Sequence, residues 1–138
     1  DSWLLRIDLV LETWFEDISV FEKNNKCSVL VSIQLDVYVK YLLEQCYNYA
    51  LYSKHEKQIS DAIGFLALGE RLIKFIIDST NYPDTLNIIQ KIFLFISAIL
   101  IADLDFETAK RYQSNALKCG LRELYLRVDD DEGISVDK

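Results

Sequence analysis

The run of residues 92–102 constrains the fold of this chain most, because it holds ten apolar residues and one polar one, Ser97. A helix that is apolar on every side has to be enclosed by other elements of the chain. The run has eleven residues, whereas a helix that spans a bilayer needs about 20. We therefore expect a core helix with neighbours around it, and no membrane insertion.

Residues that break helices are scarce in the rest of the sequence. The chain of 138 residues has four glycines and one proline, and 51% of it is hydrophobic, which is the composition of a globular domain. So few breakers favour long helices over the many turns of a β fold. The sequence predicts one all-α domain over 1–128, followed by an acidic tail at 129–138. We expect this tail to be mobile, because it has too few apolar residues to pack.

Apolar residues at steps of three and four predict five long helices and a short C-terminal one. The predicted positions are a helix at 2–22, a hairpin over 28–79, a second hairpin over 83–119 and a short helix at 121–128. Pro83 suits the first position of a helix, and Asp105 suits the capping position of the next one. Gly120 is predicted to end that helix, since glycine favours the left-handed conformation found there.

A polar and aromatic stripe on the second predicted helix is the candidate partner-binding site. Its members recur at steps of four and three residues and are Gln34, Tyr38, Tyr41, Gln45, Asn48 and Tyr52. Tyrosine offers apolar area and a hydrogen bond at low entropic cost, and amide groups can bond a peptide backbone. Two interpretations remain open: the stripe is a seam between helices with its hydroxyls outward, or it binds a segment of a partner.

Aromatic and small residues alternate on one face of the predicted helix after the turn at 103–105. They are Phe106, Ala109, Tyr112 and Ala116. A small–aromatic–small set occurs 47 residues earlier and consists of Ala62, Phe65 and Gly69. This pattern resembles the second helix of a tetratricopeptide repeat, and the Pro83-Asp84 opening resembles the longer repeats of the kinesin-light-chain type.

The resemblance implies a right-handed stack of antiparallel helix hairpins, an α-solenoid. It also implies a scaffold whose groove, lined by the first helix of each hairpin, holds a peptide or a helix of a partner. The sequence departs from the family pattern at Leu104, where the turn usually has a glycine, and at Ser97, where the first helix usually has one. These departures bear on the superhelical geometry more than on the hairpins.

Residue patterns of catalytic and metal-binding sites are not evident in the sequence. The one histidine, His55, falls in a predicted turn, and Cys27, Cys46 and Cys119 are scattered without zinc-site spacing. A glycine-rich phosphate loop is also missing from the sequence. We therefore expect neither an enzyme nor a cofactor or metal site. Scattered, odd-numbered cysteines predict reduced thiols and an intracellular, cytoplasmic location.

The distribution of charge along the sequence disfavours some classes of partner. The net charge of −7 comes from the two ends, with −3 over 1–26 and −4 over 123–138. Without a basic face, nucleic acid and anionic membrane surfaces are disfavoured partners. We expect a non-catalytic interaction or scaffold domain that binds a protein or peptide. The alternative is a structural or regulatory subunit of a larger assembly, packed through an apolar helix face. The absence of methionine predicts that the start of the chain is either processed or cut from a longer protein, and we expect a fragment of a longer protein.

Overall fold

The computed structural model describes residues 29–136 and, before them, only the helical positions Leu9, Thr13 and Glu16; side chains are described for these three positions and over 36–129. Over this described part the chain has four helices and no strand, which confirms the all-α prediction. The helices are α1 (Val29–His55), α2 (Ile59–Ile76), α3 (Pro83–Ala102) and α4 (Phe106–Val136). The predicted helix at 2–22 lies outside the described residues apart from the three positions named.

The four helices form two hairpins, α1 with α2 and α3 with α4. Helix α3 contacts each of the other three, whereas the backbone of α4 contacts no described helix besides α3. Leu86, Ile89 and Ile92 of α3 are fully buried. Helix α3 is therefore the central element of the described fold, but the run 92–102 is not enclosed on every side as expected, because Leu94 and Ile101 are 45% and 40% exposed.

The predicted number and bounds of the C-terminal helices are wrong. The helix expected to end at Gly120 and the short helix expected at 121–128 are one continuous helix, α4. Gly120 does not take up a left-handed conformation. It faces α3 instead, where a Cβ atom would lie 2.9 Å from Nε2 of Gln90. The glycine therefore leaves room for the side-chain amide of Gln90 and does not end the helix. The backbone of 129–136 continues the helix, and the mobility of this tail stays a prediction.

Both predicted helix starts in the second hairpin are confirmed. Pro83 occupies the first turn of α3. At the start of α4, the backbone N–H of Thr108 donates a 3.3 Å hydrogen bond to Oδ1 of Asp105, which is the expected cap. Between the helices, Leu104 has φ 63° and is 75% exposed. A leucine thus stands in the left-handed conformation that glycine adopts most easily.

Gly69 of α2 lies where α2 meets both α1 and α3. A Cβ atom on Gly69 would lie 3.4 Å from Cδ1 of Ile92 on α3 and 3.6 Å from Cβ of Cys46 on α1. Glycine costs a helix about 1 kcal/mol relative to alanine. Because these distances are ordinary van der Waals contacts, the Cβ of an alanine would fit here, and the packing does not by itself require glycine.

A buried polar cluster joins α1 to the start of α3. The carboxylate of Asp36 accepts hydrogen bonds of 2.6 Å from the hydroxyls of Thr80 and Thr85. All three residues are at most 5% exposed. Because a buried polar group without a partner is costly, these two bonds fix the position of α1 against the loop before α3.

Two side chains of α4 reach across to the first hairpin. Arg122 donates hydrogen bonds of 2.9 Å to the backbone oxygens of Ile77 and Thr80, just after the end of α2. The hydroxyl of Tyr112 donates a 2.5 Å hydrogen bond to Glu70 on α2. These contacts hold α4 to α2 through side chains while their backbones stay apart.

Candidate functional site

The tyrosine stripe, defined as the six residues from Gln34 to Tyr52 singled out in the sequence, lies along the outside of α1. Tyr38 is 49% exposed, Tyr41 56% and Tyr52 63%. Asn48 is also exposed, and Gln45 is half-buried. The side chain of Gln34 lies outside the described part. Large aromatic area on this helix is therefore presented to solvent.

The direction of the stripe follows from the contacts of α1 with α3. Tyr47 faces α3, since its ring meets that of Phe95 edge-on at 5.9 Å between centroids. At about 100° per residue, Tyr41 and Tyr52 lie about 120–140° around the helix from Tyr47. The stripe thus faces away from α3. It does not line a groove between the first helices of the two hairpins, as the repeat resemblance implied.

An open depression of about 770 Å³ occupies the C-terminal end of the stripe. It is lined by Asn48, Leu51, Tyr52, Lys54, His55 and Lys57. Lys54 also places its ammonium 5.3 Å from the ring centroid of Phe95, a cation–π contact that holds this side chain over α3. The depression combines two stripe residues with basic groups, and its breadth suits a polypeptide segment better than an enclosed small molecule.

A second recess, of about 370 Å³, separates α2 from α4. Its apolar surface comes from Ile73, Ile77 and Phe93, and its rim carries charges of both signs. Glu70 at this rim is already bonded to Tyr112, and Arg122 is bonded to backbone oxygens. The recess is therefore a gap between the two hairpins, and side chains of the chain itself already bridge it.

Two thiols and one tyrosine among the described residues have raised pKa values. Burial raises the pKa of the Cys46 thiol to about 12. Burial also raises the pKa of Cys119, and nearby Arg122 opposes that rise. Burial and then the hydrogen bond to Glu70 raise the pKa of Tyr112 to about 12. Since the thiolate is the reactive form of cysteine, neither thiol has the properties of a nucleophile at neutral pH.

An exposed apolar stripe on α4 was not anticipated from the sequence. Its members, called here the leucine stripe, are Leu117, Leu121, Leu124 and Val128. They are 43–62% exposed and follow one another at steps of four, three and four residues. Such spacing places them on one side of the helix. The signal was present in the sequence, but the predicted break at Gly120 divided it.

Helix α3 contributes to the same side of the molecule. Leu94 and Ile101 are 45% and 40% exposed, and both lie about 180–200° around α3 from Ile92, which contacts Gly69 of α2. The leucine stripe lies about 140–180° around α4 from Cys119, which lines the recess facing α2. Both sets of side chains thus face away from the first hairpin, and together they are called here the outer apolar face.

Metal binding and membrane crossing are two further properties on which the described residues bear. Among the described residues, no group of three His, Cys, Asp or Glu side chains is placed to hold a metal ion. Within the same part of the chain, α3 alone is long and apolar enough to cross a membrane by length and composition. The core helix of a soluble protein passes the same test, and α3 contacts all three other helices.

Comparison with known proteins adds no relationship: no protein-family model, curated protein or solved structure matches this chain.

Proposed function

We propose that this chain is a non-catalytic protein–protein interaction domain that binds a segment of a partner along the tyrosine stripe. The observation that carries the proposal is the exposure of Tyr41 and Tyr52, at 56% and 63%, on a helix whose other sides pack against α2 and α3. Large exposed aromatic side chains are typical anchors of protein interfaces. The stripe contains no charged residue, so it favours a partner segment of polar and apolar side chains over an ionic one.

The dimensions of the stripe fit an extended peptide or one helix. From Gln34 to Tyr52 it spans about 27 Å at 1.5 Å per residue. An extended peptide of about eight residues covers that length. The depression around Asn48 and Tyr52 would receive one end of the segment, and Lys54 and Lys57 beside it would favour an acidic residue there.

We further propose that the two hairpins are successive repeats of a tetratricopeptide-like right-handed stack in a cytoplasmic scaffold. The proposal is supported by equivalent packing residues in the second helix of each hairpin. Ala62 and Gly69 are buried in α2, as are Ala109 and Ala116 in α4. In each helix a ring lies between the small residues, Phe65 in one and Tyr112 in the other.

Affinity capture from an extract of the source cells tests the binding proposal. Wild-type protein should retain a partner that the variant Tyr41→Ala/Tyr52→Ala retains much more weakly. The matched control is Phe106→Ala/Tyr125→Ala, which removes two exposed rings from α4 and should leave capture unchanged. Equal capture by all three proteins would contradict a binding role for the stripe.

A second candidate function is favoured by the outer apolar face of α3 and α4. A structural or regulatory subunit of a larger assembly would cover this face. The exposed Leu94 and Leu117 lie where an additional helix could pack. Contiguous exposed apolar side chains on a soluble domain commonly mark an interface.

A further inference from the structure

We infer that the leucine stripe of α4 pairs with the same stripe of a second copy, with the two α4 helices antiparallel. The inference deepens the second candidate function by naming what covers the apolar face. It does not depend on the tyrosine stripe, which is on a different helix.

The spacing of the stripe is self-complementary in the antiparallel sense. Steps of four, three and four residues read the same in both directions along the helix. When two such helices meet antiparallel about a two-fold axis, Leu121 lies opposite Leu124 of the second copy, and Leu117 lies opposite Val128. Each copy offers the same patch, as a two-fold interface requires. Apolar residues at these steps form the seam along which paired helices pack.

The charge of α4 selects the antiparallel direction. Its first half carries Lys110 and Lys118, while the sequence 129–132 near its end is acidic throughout. The helical backbone includes both parts. In the antiparallel pair, Asp131 and Glu132 of one copy come opposite residues 114 and 113 of the other, between its two lysines. A parallel pair would place the acidic run of one copy beside the acidic run of the other, where like charges repel.

The antiparallel pair brings one pair of like charges together, and one of these two charges is already compensated within its own chain. Lys118 of one copy comes near Arg127 of the other. Arg127 already donates hydrogen bonds of 2.8 Å to Glu123 and to Asp84 of its own chain. Its charge is therefore compensated before the two copies meet, so the lysine faces a neutralised cluster.

The hydrodynamic mass of the whole chain tests whether the pair forms. Light scattering should give a dimer for the wild-type protein. Leu121→Asp/Leu124→Asp should give a monomer, because each buried carboxylate weakens the association constant by more than about tenfold. The matched control Ile59→Asp, at an exposed position that begins α2, should remain a dimer. A monomeric wild-type protein would overturn the inference.

Cysteine cross-linking tests the direction of the pair. In a Cys27→Ser background, Leu117→Cys protein mixed with Val128→Cys protein should form a mixed disulfide dimer under mild oxidation. Neither variant should cross-link efficiently with itself. The remaining native thiols, Cys46 and Cys119, are buried. Efficient self-cross-linking of Leu117→Cys would show a parallel pair and overturn the antiparallel assignment. These outcomes are independent of partner capture by the tyrosine stripe.

Discussion

The carboxylate of Asp36 accepts a 2.6 Å hydrogen bond from the hydroxyl of Thr85, which lies 49 residues further along the chain. Both side chains are buried, and Thr80 binds the other carboxylate oxygen. We expect Thr85→Val, which keeps the shape of the side chain, to lower the free energy of unfolding by about 1–3 kcal/mol, because one carboxylate oxygen would lose its donor. Urea denaturation measures this change. Thr108→Val, at the more exposed start of α4, is the control, and equal effects of the two changes would contradict the role of the cluster.

The two buried alanines of α4 should not tolerate larger side chains. Ala109 and Ala116 are each 2% exposed. We expect Ala109→Leu and Ala116→Leu each to lower the stability by about 1–3 kcal/mol through overpacking. Ala98→Leu, at an exposed position of α3, is the matched control and should change the stability little. A thermal melt that is unchanged for both alanine variants would show that these positions do not face α3.

The turn between α3 and α4 contains one residue in a strained backbone conformation, and a substitution there should relieve the strain. Leu104 has φ 63° and a side chain that is 75% exposed, so its replacement disturbs little packing. Asparagine is more tolerant of the left-handed conformation than leucine, whereas a β-branched residue is less so. We expect Leu104→Asn to raise the free energy of unfolding, measured by urea denaturation, by up to about 1 kcal/mol. Leu104→Val should lower it. The opposite order would contradict the left-handed assignment of this residue.

Stability should fall as the pH rises above about 9. Burial raises the pKa of the Cys46 thiol from 9.0 to about 12. The fold therefore favours the protonated thiol, and its contribution is complete below pH 9 and is lost as the pH rises towards 12. In this window the Cys46 thiol lowers the free energy of unfolding by about 1.4 kcal/mol for each pH unit.

Unfolding free energies between about pH 8 and pH 10.5 measure this slope. Cys46→Ala should be less stable than the wild-type protein at the lower pH, and the gap should narrow at the higher one. A gap that stays constant would show that the thiol does not drive the alkaline loss.

Local chemistry made parts of the fold predictable. Pro83 and Asp105 marked the starts of α3 and α4, because the missing N–H of proline and the carboxylate of aspartate suit helix starts whatever the surroundings. The helix end predicted at Gly120 was wrong, because glycine serves both as a helix stop and as a site of close approach. Only the position of Gln90 on the neighbouring helix distinguishes these roles.

The buried face of α1 was harder to predict. Among the described side chains of α1, Val39, Leu43 and Ala50 are fully buried, whereas the large apolar ring of Tyr49 is 41% exposed. Apolar residues occur on several sides of this helix, so periodicity alone does not fix which side is buried. Asp36 adds to the ambiguity, because a carboxylate is buried only when distant groups such as Thr80 and Thr85 satisfy it.

The stability of Tyr41→Ala/Tyr52→Ala tests the central claim most directly, because it decides whether the tyrosine stripe is a surface or a seam. If the stripe is a binding surface, the urea midpoint of this variant should stay close to that of the wild-type protein, since surface changes are usually within about 0.5 kcal/mol each. If the stripe is a seam, truncating two packed rings should cost several kcal/mol, with about 3–5 kcal/mol typical of one buried aromatic ring. A loss of that size would contradict the proposed binding surface.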